Sequence, residues 1–284
     1  MLVGGPKAGG EACRSDEVVE GSFVGAGGGR EAGEWPVVSC RARRAKNTRR
    51  LLIGERYSMR YVSNHGEPVF DVVARHYITD HLPEQDSSLE DVFAAIYRTN
   101  KWGSTETRSG SGSERERMET VAEELSFLMH RWSTSSLLDA PCGEFNWMRD
   151  VDLDLNGVTY VGADIVPELI DRNRQKFDFP FLVADITKDK LPKVDLVLGR
   201  DALVHLSNQH ASAALANFKK SGSRYLLATT FTETAENADI VTGWWRPLNL
   251  MLPPFDLPGP LDYIKDADSD DFYGDKVLAL WQIT

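Results

Sequence analysis

Apolar and polar positions alternate in blocks along the second half of the chain. Five short runs are apolar almost throughout, which is the pattern of strands in a parallel sheet that is covered on both faces. They are Ser136–Ala140, Val158–Ala163, Phe181–Ala184, Val194–Leu198 and Arg224–Thr229. Segments of helical periodicity lie between them, at about Phe145–Val151, Pro167–Phe177 and Asn208–Lys220. Strands that alternate with helices in this way predict a parallel α/β sheet.

Two further apolar runs near the C-terminus, Leu261–Asp266 and Lys276–Ile283, flank an acidic turn at Asp268–Asp271. Two strands joined by such a turn predict an antiparallel hairpin that closes the sheet. The predicted fold class is therefore α/β: a doubly wound, Rossmann-like sheet of about seven strands, with helices on both faces and one reversed edge.

The chain before this sheet divides into two predicted parts. Residues 1–66 hold 10 of the 23 glycines within their first 33 positions and a basic run at 41–50, so we expect a disordered Gly/Arg-rich extension. The basic run is typical of a nuclear signal, of an anionic-surface contact or of a solvated tail. Residues 67–134 are predicted to form a helical cap, and residues 135–284 the main domain. The helices predicted in the cap cover about 68–78, Val92–Tyr97 and Arg115–Arg131.

The net charge of −11 belongs entirely to residues 111–284, because residues 1–110 carry equal numbers of acidic and basic side chains. A surface this acidic repels a phosphate backbone, so nucleic acid is not expected as a partner. No run approaches the roughly 18 apolar residues of a membrane span. The cysteines Cys13, Cys40 and Cys142 form neither a disulfide framework nor a metal-binding pattern, so we expect a cytoplasmic protein.

Acidic residues follow the first three predicted strands directly, at Asp139, Asp164 and Asp185. The carboxyl ends of parallel strands meet at one edge of the sheet, where ligands of this fold class bind. A carboxylate there accepts hydrogen bonds from both hydroxyls of a ribose or from an adenine amino group. Each acid also has the alternative interpretation of a cap for the helix that follows it.

The turn after the first strand, Asp139-Ala-Pro-Cys-Gly143, narrows the class of ligand. Gly143 lets a ligand approach the backbone where a side chain would collide. A dinucleotide site has the three glycines of G-x-G-x-x-G for its pyrophosphate, whereas this turn has one of them, and Pro141 lacks an amide donor. The turn therefore predicts a site for a nucleoside without phosphates.

With these residues the sequence resembles the class I S-adenosylmethionine-dependent methyltransferases, over roughly residues 90–284. The similarity is greatest to a subgroup that has four motifs in common with this chain. They are Ile96-Tyr-x-x-Asn-x-Trp-Gly103, Ser109-Gly-Ser-Gly-Ser113, the Asp-x-Pro-Cys-Gly turn and Arg200-Asp-x-Leu-Val-His205. The chain departs from the common family pattern at Ala140-Pro141-Cys142, where other members have additional glycine.

The resemblance implies that S-adenosylmethionine is the cofactor, and it implies where this cofactor binds. Asp139 and Gly143 would lie near the methionine moiety, and Asp164 would hold the ribose. Asp185 and Ile186 would contact the adenine. The predicted cofactor-binding residues are Trp102, Asp139, Pro141, Cys142, Gly143, Asp164, Ile165, Asp185, Ile186 and Arg200. An acidic domain also suits a sulfonium cation.

Two residues after the fourth strand are candidates for a general base. His205 and Asp201 are predicted to remove the proton from a hydroxyl or ammonium acceptor. His205 has the alternative interpretation of a packing residue, and Asp201 has the alternatives of capping, pairing with Arg200 or binding the acceptor. No His/Asp cluster has the spacing of metal ligands, so no metal is predicted.

Two segments are predicted to close the site. Trp102–Gly103 and the Ser109–Ser113 loop precede the sheet and either cover the cofactor or form a flexible linker. The insertion Thr229–Pro260 is too apolar for a solvated loop, so it either covers the active site or replaces a missing helix on the sheet. The residues of this insertion predicted to bind substrate are Trp244, Trp245, Arg246 and Asn249.

The sequence thus predicts an S-adenosylmethionine-dependent methyltransferase that acts on an oxygen or nitrogen of a small molecule, without nucleic-acid or membrane partners. A nicotinamide-dependent oxidoreductase is an alternative on the same fold, disfavoured by the incomplete glycine pattern. A regulatory protein that binds a nucleoside without catalysis is a second alternative. The sequence does not indicate an oligomeric state.

Deletion of residues 1–60 tests the predicted domain boundary. The shortened chain should unfold at the same temperature as the full chain, because a Gly-rich polar extension contributes little buried apolar surface. Thermal denaturation followed by circular dichroism measures this. A melting temperature lowered by more than about 5 °C would contradict the boundary.

Overall fold

The computed structural model describes residues 87–153, 157–266 and 273–284. The predicted extension 1–66 and the predicted helix over about 68–78 lie outside these residues. Within the described ranges, no helix is both long enough and apolar enough to cross a membrane.

The described residues contain seven strands, which form a single sheet. They are β1 Ser136–Asp139, β2 Thr159–Asp164, β3 Phe181–Val183, β4 Leu196–Gly199, β5 Tyr225–Phe231, β6 Asp262–Lys265 and β7 Lys276–Gln282. Their order across the sheet is β3-β2-β1-β4-β5-β7-β6. Strands β1 to β5 are parallel, and β7 is antiparallel to both β5 and β6. The predicted sheet is confirmed, with one difference: the reversed strand β7 lies inside the sheet, and the edge strand β6 again runs parallel to β5.

Four α-helices accompany the sheet in the described part of the chain. They are α1 Leu89–Thr99, α2 Arg115–Arg131, α3 Pro167–Lys176 and α4 Asn208–Lys220. α1 begins at a capping box, in which Ser88 and Asp91 each accept a backbone hydrogen bond from the other. α3 begins with Pro167, whose missing N–H has no partner to lose at that position. The Ser207 side chain caps α4.

The predicted helix over Phe145–Val151 is wrong, since this stretch consists of turns and a single 3₁₀ turn at Met148–Asp150. Gly143 and Phe145 have positive φ angles of 51° and 57°, which takes the backbone out of the right-handed helical region. The Phe145 ring is instead buried against aromatic rings of β2, β3 and the segment before β3. Long-range aromatic packing therefore overrides the local periodicity.

Alternate side chains of the strands point to opposite faces of the sheet and build two apolar clusters. On one face, Leu137 and Leu196 belong to the cluster that includes residues of α1, α2 and α3. On the other face, Leu138 and Val197 belong to the cluster that includes residues of α4. One face is thus covered by three helices and the other by one.

Residues 248–257 complete the face that carries only α4. Leu248 and Leu250 are fully buried there. The amide of Phe231 donates to the carbonyl of Leu248 at 2.9 Å, and the amide of Leu250 donates to Oγ1 of Thr230 at 3.0 Å. Of the two interpretations of the insertion, the structure supports the replacement of a missing helix.

The strand order reverses at β1, because β2 pairs with one side of β1 and β4 with the other. At such a point the connections leave toward opposite sides and open a crevice beyond the carboxyl ends of the strands. The residues that follow β1, β2, β3 and β4 therefore face a common space.

Candidate functional site

A cavity lies at the carboxyl ends of β1 to β4, and it contains every residue predicted to bind the cofactor. These are Trp102, Asp139, Pro141, Cys142, Gly143, Asp164, Ile165, Asp185, Ile186 and Arg200. Asp201 and His205, the two candidate bases, line the same cavity. Residues that are 100 positions apart in the sequence are thus brought into one site.

In the turn after β1, residues 140–143, every backbone amide donates a hydrogen bond within the protein. The amide of Ala140 donates to Leu198, and that of Cys142 donates to Ala163 at 2.8 Å. Pro141 has no amide proton, and the amide of Gly143 donates to Oδ2 of Asp164 at 3.2 Å. A loop that binds pyrophosphate needs free amides, so this turn is not built for one.

Gly143 cannot be replaced by a residue with a side chain without strain. Its φ angle of 51° lies in the left-handed region, and a Cβ atom there would collide with Oγ of Ser109. Its carbonyl accepts a hydrogen bond from Nδ2 of Asn173 at 2.8 Å. The absence of a side chain therefore lets the Ser109 segment lie directly on the turn.

Asp164 accepts backbone amides, among them those of Gly143 and Val166, and still has capacity for a ligand. Its Oδ1 accepts from the amide of Val166 at 3.0 Å and its Oδ2 from the amide of Gly143. Burial raises the pKa of Asp164 to about 6, and these amide hydrogen bonds act in the opposite direction. Each carboxylate oxygen has a second lone pair, so the group can also accept from two ligand hydroxyls.

Asp139 is buried beside a neutral partner. The hydroxyl of Tyr160 donates to its Oδ2 at 3.0 Å, and the residue is 4% exposed. Burial raises the pKa of Asp139 to about 8, and the nearby charge of Asp164 adds to the effect. The ionised form of Asp139 would therefore be stabilised by a cation that entered the cavity.

Asp185 forms a local turn and caps no α-helix, since none lies between β3 and β4. Its Oδ1 accepts from the amide of Thr187 at 2.8 Å and from the Thr187 hydroxyl at 2.6 Å. Nζ of Lys188 lies 3.2 Å from its Oδ2. The side chain lines the cavity, but most of its hydrogen-bonding capacity is used within the loop.

The segment before α2 is held on the cavity by Glu144. The carboxylate of Glu144 accepts from the hydroxyl of Tyr97 at 3.2 Å, from the hydroxyl of Thr107 at 3.0 Å and from the amide of Arg108 at 2.7 Å. The amide of Glu144 donates to Oγ of Ser109 at 3.3 Å. These hydrogen bonds support the interpretation as a cover and not as a flexible linker.

Among the cavity residues that the predicted site list lacks are four polar ones: Tyr97, Arg108, Ser109 and Glu144. Three of them lie in or beside motifs that the sequence displays, and Glu144 directly follows the glycine turn. The signal that could have found them is the position of Glu144, since a carboxylate at a glycine turn attracts donors from the segment that covers it.

His205 is held in one tautomer. Its Nδ1 lies 2.9 Å from the carbonyl oxygen of Trp244, and because a carbonyl only accepts, Nδ1 carries the proton. The ring packs against Trp102, with centroids 4.8 Å apart. Burial lowers the pKa of His205, so the imidazole is neutral near pH 7. Nε2 is thereby left as a proton acceptor on a ring that lines the cavity.

Asp201 is paired with two cations, and one of them is Arg200, the pairing predicted from the sequence as an alternative to a role as general base. Its Oδ2 lies 3.2 Å from Nη1 of Arg200 and 2.8 Å from Nζ of Lys276. Burial would raise the pKa of Asp201, but the charges of Arg200 and Lys276 outweigh it and hold the pKa well below its usual range. A carboxylate in this state is a poor proton acceptor, which leaves His205 as the better candidate base.

The four predicted substrate-binding residues do not line the cavity. Arg246 is buried and donates to the carbonyls of Ala238, Leu203 and Val204. These hydrogen bonds hold the loops around Arg246 in place, because a buried guanidinium must satisfy its donors within the protein. Asn249 bonds to the backbone in the same way, Trp245 packs on Phe231 and Tyr273, and the Trp244 carbonyl binds His205.

Among the described residues, no group of three or more His, Cys, Asp or Glu side chains is arranged to hold a metal ion. Cys142 is buried, and burial raises the pKa of its thiol well above the usual range. A thiol in this state is not a reactive nucleophile.

No protein-family model and no curated protein sequence matches the chain. Among solved structures, it is similar to 1,6-didemethyltoxoflavin-N1-methyltransferase of Burkholderia thailandensis bound to 1,6-didemethyltoxoflavin and S-adenosylhomocysteine. The TM-score is 0.50 and the identity 12%, over 80% of this chain and 99% of that chain. This likeness shows the fold.

Two other solved structures match with lower TM-scores. Human N-acetylserotonin methyltransferase in complex with S-adenosylmethionine has a TM-score of 0.49 and 18% identity, over 68% of this chain and 59% of that chain. The chain thus spans less than two thirds of the human protein. The N-methyltransferase NodS of Bradyrhizobium japonicum in complex with S-adenosylhomocysteine has a TM-score of 0.46 and 13% identity, over 66% of this chain and 97% of that chain. The sheet described above is a Rossmann-like α/β sheet, and the structure with the TM-score of 0.50 has a similar fold.

Proposed function

We propose that this protein is an S-adenosylmethionine-dependent methyltransferase that transfers a methyl group to an oxygen or nitrogen of a small molecule. The observation that carries the proposal is the cavity in which Asp139, Asp164 and Asp185 converge from three successive strand ends on the Gly143 turn. Similar folds that bind S-adenosylmethionine or its product support it.

The chemistry of the turn favours a nucleoside that carries a cation and no phosphate. The amides of Ala140, Cys142 and Gly143 are donated within the protein, so none is free for a pyrophosphate. Asp139 is a buried carboxyl with a neutral hydrogen-bond partner, and a sulfonium or ammonium group would stabilise its ionised form. A nicotinamide dinucleotide would bring two phosphates to this place instead.

We assign the ribose, the adenine and the methionine carboxylate of the cofactor to the cavity residues whose side chains can bind each of them. Asp164 accepts from the ribose hydroxyls, and Asp185 with Ile186 lies along the adenine. Arg108 lines the cavity beside the glycine turn, and a guanidinium is the side chain best suited to pair with the methionine carboxylate. These residues fit the donor without a phosphate-binding loop.

When bound, S-adenosylmethionine supplies a methyl group on a positively charged sulfur that is already a good leaving group. The protein's part is to align the acceptor and to remove its proton. Nε2 of His205 accepts that proton, because Nδ1 is held protonated by the Trp244 carbonyl. Trp102 packs on the imidazole and fixes the plane of the ring.

Calorimetric titration of the full chain tests the cofactor assignment. S-adenosylmethionine and S-adenosylhomocysteine should bind, and NAD⁺ should not. Incubation with a labelled methyl donor and a fractionated metabolite extract then tests for transfer. Binding without transfer to any fraction would favour the nucleoside-binding regulatory protein, and binding of NAD⁺ alone would favour the oxidoreductase.

Replacement of Asp164 by alanine should weaken binding of S-adenosylhomocysteine by about 1–3 kcal/mol, because the ribose hydroxyls lose a charged acceptor. Calorimetry measures the change. Asp178→Ala removes an exposed carboxylate and is the matched control. Equal affinities of the two variants would show that the ribose lies elsewhere.

Replacement of Asp139 by asparagine should raise the free energy of unfolding relative to the parent chain, and this difference should grow as the pH rises. The folded-state pKa of Asp139, about 8, is raised above its ordinary value of 3.8, so the stability that its proton contributes is fully present below pH 3.8 and is lost progressively as the pH rises from there to 8. The asparagine variant lacks this loss. Its advantage in the free energy of unfolding should grow by more than about 1 kcal/mol between roughly pH 4.5 and pH 8.

Urea denaturation at several pH values measures this difference. Asp171→Asn makes the same substitution at an exposed carboxylate on α3 and is the matched surface control. If Asp139→Asn followed the parent chain at every pH, the carboxyl would not be buried in the neutral form.

Replacement of His205 by alanine should lower the rate of methyl transfer by roughly 10²–10⁴-fold, because the acceptor loses its general base. The affinity for S-adenosylhomocysteine should stay within about threefold of the parent value, since His205 is not assigned to the cofactor. His130→Ala, at an exposed position of α2, is the control. An unchanged rate in the His205 variant would assign that residue to packing alone.

A further inference from the structure

A buried group of four charged side chains joins the C-terminal strands to the cavity. This charge quartet consists of Arg200, Asp201, Asp266 and Lys276. Nη2 of Arg200 donates to Oδ1 of Asp266 at 2.9 Å, and Nη1 lies 3.2 Å from Oδ2 of Asp201. Nζ of Lys276 lies 2.8 Å from Oδ2 of Asp201 and 3.0 Å from Oδ2 of Asp266. Each cation therefore contacts both anions.

The charge quartet links three distant parts of the sheet. Arg200 and Asp201 follow β4, Asp266 follows β6, and Lys276 begins β7. The side chains of Arg200 and Asp266 are 4% exposed, that of Lys276 is 12% exposed and that of Asp201 is 25% exposed. Charges withdrawn from water to this extent are stable only when each is paired, so the position of each depends on the others.

Asp201 lies on the same short turn as His205. Its φ angle of 49° is in the left-handed region, which is uncommon for a residue with a side chain. Its amide donates to Oγ1 of Thr229 at 2.7 Å, and Lys276 holds its carboxylate. The amide of His205 donates to the carbonyl of Ala202, directly after Asp201. Whatever fixes Asp201 thus also fixes the start of the turn that carries His205.

We propose that Lys276 is a positioning residue for His205: its ion pair with Asp201 holds the turn that carries the imidazole, and its charge offsets the charge of that carboxylate. The inference deepens the proposed function and rests on it, since His205 is the proposed base. It adds a residue of the C-terminal hairpin, 71 positions from His205 in the sequence, to the machinery of the site.

The charges that face His205 come from three elements. Asp201 on its own turn raises the pKa of His205, whereas Lys276 on β7 and Arg246 after β5 lower it, in addition to the larger effect of burial. The other close partners, Trp102 and the Trp244 carbonyl, are uncharged. Removal of Lys276 and removal of the Asp201 charge therefore have opposite expected effects.

Titration of His205 by nuclear magnetic resonance tests the inference in the full chain and needs no acceptor. The ring C–H signals of isotopically labelled protein are followed from pH 5 to pH 9, and a His205→Gln variant identifies the signal. In Lys276→Met the pKa of His205 should rise by about half a pH unit or more, and in Asp201→Asn it should fall. If the substitutions merely loosened the fold, the pKa of His205 would move toward its ordinary value in both variants, and so in the same direction.

Two controls separate charge from packing. Lys265→Met makes the same substitution at an exposed position of β6, paired in register with the neighbour of Lys276, and should leave the titration unchanged. Lys276→Arg retains the charge and should titrate within about 0.2 pH unit of the parent. The inference is overturned if Lys276→Met titrates like Lys265→Met, or if Lys276→Arg shifts as far as Lys276→Met.

Once an acceptor is known, the pH dependence of the transfer rate gives a second readout. In Lys276→Met its acidic limb should move to higher pH by the same amount as the titration, with cofactor affinity unchanged. Failure of the proposed function would appear separately, as an absence of binding or transfer in the parent chain, while the titration of His205 would still report whether Lys276 acts on it.

Discussion

The burial of carboxylates at the carboxyl ends of parallel strands is the constraint on which the site depends. A carboxylate removed from water needs hydrogen bonds or opposite charges, or else it binds a proton. Asp164 receives backbone amides, and Asp201 receives two cations. Asp139 receives a neutral hydroxyl, and burial raises its pKa to about 8 although this hydrogen bond acts in the opposite direction. Because the three acids have different partners, their pKa values differ although they line one cavity.

The same hydrogen bonds decide which polar groups of the protein are available to a ligand in the cavity. The amide of Gly143 donates to Asp164 at the end of β2, so the turn after β1 has no free amide donor there, and the carboxylates of Asp139 and Asp164 line the cavity beside it. Carboxylates attract hydroxyls and cations, whereas free amides attract phosphates. The charged, phosphate-free nucleoside that we propose as the ligand thus suits the way in which the turn satisfies its own backbone.

Residues from outside the parallel strands hold the candidate base. Trp102 packs on the ring of His205, and the Trp244 carbonyl fixes its tautomer. Arg246 binds the carbonyls of the turn before His205. The insertion that was predicted to bind substrate therefore acts on the site indirectly, by holding the imidazole in place.

The sequence alone determined the elements whose signal is local. The apolar runs predicted seven strands, helical periodicity placed α2 and α4, and acids at strand ends predicted a site, because parallel strands always bring their carboxyl ends together. Tertiary structure alone decided that Phe145 leaves the helical region, that Asp201 is paired with Lys276, and that Arg246 serves a loop instead of the cavity. These outcomes depend on contacts between residues that are far apart in the chain, and local periodicity carries no information about such contacts.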